Sequence, residues 1–139
     1  MSFDAIQPGL RGEIGLVVAE THSARHLGSG AVRVLATPQM VLLMEQASVA
    51  AVDPLLPAGY CSVGAHLEIR HLEPTPVGFE VRAAAQLIEV DGRQLTFRVQ
   101  VFEEPFGEAQ LVGDGIHRRV IVNLQRFDDR AALKLAIAR

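Results

Sequence analysis

Glu45 stands in the middle of the most apolar segment of the chain, Met40-Val41-Leu42-Leu43-Met44-Glu45-Gln46-Ala47-Ser48-Val49-Ala50-Ala51-Val52. A carboxylate buried there without a partner is costly, so it must be exposed, protonated or paired. Either it shares a narrow wet stripe with Gln46, or it is a reactive group whose properties the fold sets. His71 ends the alternating set Val63, Ala65, Leu67, Ile69, which directs its ring to the same side as that apolar set. Alone it reads as a satisfied core histidine. With Glu45 expected on the same side, it reads as half of a hydrogen-bonded carboxylate–imidazole pair. Thr37 precedes Pro38 at the start of the apolar segment. Its hydroxyl suits a helix cap, and a helix start also offers unpaired N–H groups and a positive dipole end, suited to a developing oxyanion. A carboxylate, an imidazole and a hydroxyl so placed suit general acid–base or nucleophilic chemistry.

The elements that must position these groups are legible. Thr37 and Pro38 open a helix, Pro38 fitting the first turn where its missing N–H costs nothing. Asp53-Pro54 closes it, because the residue before proline is driven out of the helical region. The helix is apolar nearly all the way round, which predicts burial on most sides. Residues 13–20 read as a first strand, followed by a Gly-containing loop with His22, His26 and Gly28-Ser29-Gly30. After the helix the period changes to two. Residues 62–72 form one strand; Phe79, Val81, Ala83, Ala85 and Leu87 share the apolar face of the next, and Leu95, Phe97, Val99 and Val101 that of a third. Asp91-Gly92 predicts a two-residue hairpin between those two. A turn around Pro105-Phe106-Gly107 leads to a last strand over about 110–123, and a terminal helix is expected from Asp128, capped by Asp128 or Asp129.

This order predicts an α+β hotdog fold: an antiparallel sheet of about five strands wrapped around one long central helix, plus a short C-terminal helix. It occupies residues 1–139 as a single domain. So small a sheet leaves edge strands and much of the helix incompletely covered, and pairing of two copies through a sheet edge is the usual remedy.

Composition narrows the partners. Lys and Arg total 13 against 16 Asp and Glu, a formal charge of −3, which argues against phosphate-driven nucleic-acid binding. The longest strongly apolar run, Met40 to Met44, is far short of the roughly 20 residues a membrane helix needs. The N-terminus lacks the basic and apolar regions of a signal peptide, so a cytoplasmic protein is expected. One cysteine, Cys61, excludes an internal disulfide and a cysteine-built zinc site, and reads as a small packing residue. His22 and His26 have i,i+4 spacing but sit among Gly and Ser, and His66 and His71 should face opposite sides of a strand. No metal is expected. Gly28-Ser29-Gly30 lacks the lysine and the strand–loop–helix setting of a phosphate loop.

The same residues carry a resemblance. Ala36-Thr37-Pro38-x-Met40-Val41-x-Leu43-Met44-Glu45, Val63-Gly64, Ile69-x-His71-Leu72-x-Pro74-Thr75-Pro76-Val77-Gly78, Val90-Asp91-Gly92-Arg93-x-Leu95-x-Phe97 and Gly115-x-His117-x-Arg119 together resemble the fluoroacetyl-CoA thioesterase-like branch of the hotdog superfamily. The likeness runs over nearly the whole chain, apart from its first few residues and the terminal helix. It implies hydrolysis of a small acyl-CoA thioester to the free acid and CoA, at a pocket on a homodimer interface, with no cofactor beyond the CoA of the substrate. It implies that Thr37, Glu45 and His71 are catalytic, that the Gly64 backbone N–H lies near the thioester carbonyl, and that Arg119 lies near the active site. Strand parity sets Gly64 opposite His71, so Gly64 must act through its backbone or a bulge must intervene. The chain departs from the fluoroacetyl-specific pattern at Ala31-Val32-Arg33-Val34-Leu35, where that pattern is aromatic, and at Gln46, where it has tryptophan. The reaction type is therefore carried over and the fluoroacetyl group is not. The rival readings are a hotdog hydratase or dehydratase acting on an enoyl thioester, and a non-catalytic acyl-CoA or small-ligand binding module.

Overall fold

The computed structural model describes residues 2–104 and 108–138. Five strands form one antiparallel sheet: β1 (Arg11–Val17), β2 (Tyr60–His71), β3 (Glu80–Asp91), β4 (Gln94–Glu103) and β5 (Gln110–Asn123), in the spatial order β1-β3-β4-β5-β2. A single helical turn, α1 (Ala24–Leu27), precedes the long helix α2 (Thr37–Val52), and α3 (Leu124–Ile137) ends the chain. The hotdog architecture expected from the order of elements is the one observed.

Alternation built the sheet as read. Val81, Ala83, Ala85 and Leu87 of β3 and Leu95, Phe97, Val99 and Val101 of β4 are all buried on the face that meets α2. From the helix, Met40, Leu43, Met44, Ala47, Ala51 and Val52 fill the other side of that core. Burying side chains of this size contributes on the order of 1.5–3 kcal/mol each before chain entropy is set against it.

Several details differ from the sequence reading, each for a physical reason. The first strand lies at Arg11–Val17 rather than 13–20, because a 3-10 turn already begins at Glu20. The hairpin loop is Gly92-Arg93, with Asp91 paired to Gln94 across it; Gly92 has φ +60°, the conformation the first central position of a II′ turn requires. The last helix starts at Leu124, not Asp128, because the Asn123 side chain accepts from Arg126 N at 3.1 Å and so caps it. The turn expected around Pro105-Phe106-Gly107 lies outside the described residues.

The helix is buried on one side rather than most sides. It lies over β1 and β3, and its far side is open, with Leu42 44% exposed. Strand β2 is a sheet edge, and its Leu67 is 40% exposed although it points to the helix side. A single sheet has one inner face, so a helix apolar all round keeps an uncovered flank.

Candidate active site

Thr37 is not the cap expected of it. Ala36 occupies that position, in extended backbone and with no side-chain hydrogen bond, which moves Thr37 into the first turn. Its hydroxyl is thereby free to reach across to the end of β2, where Thr37 Oγ1 and His71 Nδ1 lie 2.7 Å apart. Burial pushes His71 below the ordinary imidazole value, opposed by the nearby Glu73 backbone. Among the described residues its buried Nε2 has no hydrogen-bond partner. The hydroxyl and the imidazole share one proton across that contact, and Thr37 and His71 together line a cleft of about 320 Å³. The cleft wall is Val32, Val34 and Leu35 from the segment before the helix, with Leu72 and Pro74 opposite. That segment is fixed by Leu35 N donating to Thr75 O at 2.8 Å and by Glu20, which pairs with both Arg25 and Arg33.

Glu45 is two turns further along α2, about 12 Å from Thr37 by helical rise. Its carboxylate is 36% exposed, at the edge of a second cleft of about 340 Å³ lined also by Gly64, Leu67 and His117. Gly64 faces it. A Cβ built on Gly64 would lie 3.0 Å from Glu45 Oε2 and 3.4 Å from His117 Cε1, so the missing side chain is what keeps the space before the carboxylate open.

The parity conflict between Gly64 and His71 is resolved by a bulge. Gly64 pairs with Arg119 and His66 with Arg118, leaving Ala65 as the extra residue of β2. Tyr60, Ser62 and Gly64 therefore face the helix before the bulge, and Leu67, Ile69 and His71 after it. The continuous face Val63-Ala65-Leu67-Ile69-His71 expected from spacing is broken, with Val63 and Ala65 turned away.

Behind Glu45 lies Arg119, 5% exposed, with Nη1 3.6 Å from Glu45 Oε2. Burial lowers its pKa from the free guanidinium value, while the charges of Asp53 and Glu45 oppose that. His117, to which the sequence pattern assigns no role, belongs to this cluster. Its Nδ1 is 2.9 Å from His66 O and its Nε2 accepts from Arg119 Nη1 at 3.1 Å, so the ring is neutral with the proton on Nδ1. Burial, first among several causes, holds its pKa below the ordinary value. The available signal was register: His117 is two residues from Arg119 and so shares its face.

Within one chain, then, the expected site residues form two groups. Thr37 and His71 touch; Glu45, Gly64 and Arg119 cluster; and the carboxylate–imidazole pair expected between Glu45 and His71 is not made. His22 and His26 take no part, His22 Nδ1 accepting from Ala19 N at 2.9 Å in the loop before α1.

The chain is similar to proteins of known activity. Residues 18–125 match the family of fluoroacetyl-CoA-specific thioesterases. The chain is 36% identical over 101 residues to the fluoroacetyl-CoA thioesterase of Streptantibioticus cattleyicolor, a match spanning 73% of this chain and 70% of that one. A mutant of a fluoroacetyl-CoA thioesterase, solved in complex with acetyl-CoA, superposes with a TM-score of 0.84 at 31% identity, covering 93% of this chain and 98% of the other. A thioesterase superfamily member from Thermus thermophilus superposes with a TM-score of 0.84 at 27% identity, over 96% and 98% of the two chains.

Proposed function

The chain belongs to the fluoroacetyl-CoA-specific thioesterase family and is an acyl-CoA thioester hydrolase, and from that premise we propose that it cleaves a small acyl thioester to the free acid and CoA through Thr37, Glu45 and His71. The observation that carries the assignment of Glu45 is its setting: a part-exposed carboxylate facing a strand position that has no side chain, with a buried cation behind it. A thioester carbonyl entering that gap meets the carboxylate at the distance a Cβ would have occupied. Glu45 either attacks the carbonyl, giving an anhydride and releasing CoA thiolate, or removes a proton from a water that attacks. The Gly64 N–H polarises the carbonyl oxygen. His71, oriented by Thr37, carries the proton.

The same reading makes the enzyme a cytoplasmic homodimer with its sites at the interface. Two edge strands β2 paired antiparallel about a two-fold axis set residues of constant number sum opposite one another. Such pairing brings the His71 end of one strand beside the Gly64 end of the other, joining the two groups that a single chain keeps apart. It also covers Leu67 and the open flank of α2. Among the described residues no helix is long and apolar enough to cross a membrane.

Thiol release from a panel of short and aromatic acyl-CoAs tests the reading and identifies the acyl group. Val32, Val34 and Leu35 give the cleft beside His71 an aliphatic wall. The E45Q variant should lose at least about 10²-fold in kcat while still binding acyl-CoA; wild-type turnover in that variant would remove Glu45 from the mechanism. A single turnover in oxygen-18 water separates the two routes, since only direct attack leaves label in the Glu45 carboxylate.

A further inference from the structure

Asp53 and Ser62 stand outside the proposed catalytic set, yet together they hold the arginine beside it. Arg119 Nε donates to Ser62 Oγ at 2.8 Å and Nη2 donates to the Ser62 carbonyl oxygen at 2.9 Å. Ser62, 6% exposed, donates its own hydroxyl proton to Asp53 Oδ1 at 2.6 Å and its backbone N–H to Asp53 Oδ2 at 3.1 Å. Asp53 is the residue that ends α2. A hydrogen-bonded chain thus leaves the C-terminal end of the helix, crosses β2 at Ser62 and reaches Arg119 on β5, whose charge faces back to the helix at Glu45.

The geometry at the last link is unusual for its chemistry. A guanidinium free to move next to a carboxylate closes on it with two parallel hydrogen bonds of about 2.7–2.9 Å. Arg119 stops at 3.6 Å from Glu45, with Nε and Nη2 committed to Ser62 and Nη1 to His117 Nε2. The fork is rigid and planar, so fixing one edge on Ser62 fixes the direction of the other. Ser62 fits this task because its hydroxyl accepts from Arg119 while donating to Asp53, which a residue with only donors or only acceptors does not do.

We propose that Asp53 and Ser62 are positioning residues, which tether Arg119 so that its charge faces Glu45 without closing on it and leave a carboxylate oxygen free for the acyl carbonyl or the attacking water. The proposal rests on Glu45 being the reacting carboxylate. Released from Ser62, Arg119 swings into a close two-bond pair with Glu45 and occupies the oxygens that the reaction needs. The acyl-CoA still enters, since neither Asp53 nor Ser62 lines the cleft in front of Glu45.

The test is S62A in the full chain, with S62T as the variant that restores the hydroxyl. S62A should lower kcat roughly tenfold or more while KM for the best acyl-CoA of the panel changes less than about twofold. The nitrogen-15 Arg119 Nε–H signal, slowly exchanging in the wild type, should become fast in S62A. S62T should recover both readouts, a pattern that a merely destabilising substitution does not produce. A folded S62A with wild-type kcat and an intact Arg119 signal would overturn the proposal, as would S62T recovering neither readout. Should S62A not fold, D53N breaks the same chain at its helical end, and its kcat and Arg119 signal decide in the same way. Failure of the underlying reading looks different: an active E45Q removes Glu45 from the mechanism, whereas an inactive E45Q with a wild-type-like S62A removes the tether alone.

Discussion

Two histidines, half-buried His71 and buried His117, are held below the ordinary imidazole value, and in both burial is the largest cause. The unfolded chain therefore binds more protons than the folded one once pH falls below about 6.5, and stability falls with pH from there until the lowered folded values are passed. Thermal unfolding measured from about pH 7.5 down to about 5.5 should show a falling Tm, since carboxylates scarcely titrate in that range. In H117N the fall should be shallower; an identical slope would mean that His117 is not one of the groups responsible. The same shift serves the proposed chemistry, because at any given pH more of His71 is neutral, and so able to take up a proton, than of a free imidazole.

At the scale of elements, the site depends on how closely α2 lies against the sheet. A Cβ at Gly12 of β1 would come 2.2 Å from Ala47 O and 2.6 Å from Ala51 N, both backbone atoms of the helix. G12A must therefore push the helix off the strand, at a cost of about 3 kcal/mol, read as a fall in Tm of roughly 10 °C. Gly15, three residues along the same strand, has nothing nearer than 3.8 Å, so G15A serves as the control and should leave Tm nearly unchanged. Equal losses in the two variants would show that the close approach is not what Gly12 provides. The bulge at Ala65 is the other decisive local feature, because it alone lets Gly64 and His71 face the helix together.

For the whole molecule, the separation of Thr37–His71 from Glu45–Gly64 within one chain is the main constraint. A site completed across a two-fold axis predicts complementation between dead variants. H71A and E45Q should each be inactive alone, and mixing them with subunit exchange should restore roughly a quarter of wild-type activity, since half the dimers are mixed and each has one intact site. No recovery, with exchange confirmed, would place the whole site within one chain. L67E should convert dimers to monomers in sedimentation analysis and lower activity in parallel, because Leu67 is an inward-facing apolar residue left 40% exposed on the edge strand.

By itself the amino-acid sequence determined the element order, the inner faces of β3 and β4, the limits of α2 near Pro38 and Pro54, and the residues worth testing. Those features follow from period, turn chemistry and proline, which act over a few residues and leave their mark in the local pattern. Only the tertiary structure decided who touches whom. Thr37 partners His71 because the cap fell to Ala36, Gly64 reaches Glu45 because β2 bulges at Ala65, and Arg119 is held by Ser62 and Asp53. An extra residue in a strand inverts every face beyond it, and a hydrogen bond between residues 57 positions apart has no local signature. His117 passed without a role for the same reason: its partners, His66 O and Arg119, are assembled by the register of β2 against β5 and by the shared face of the strand.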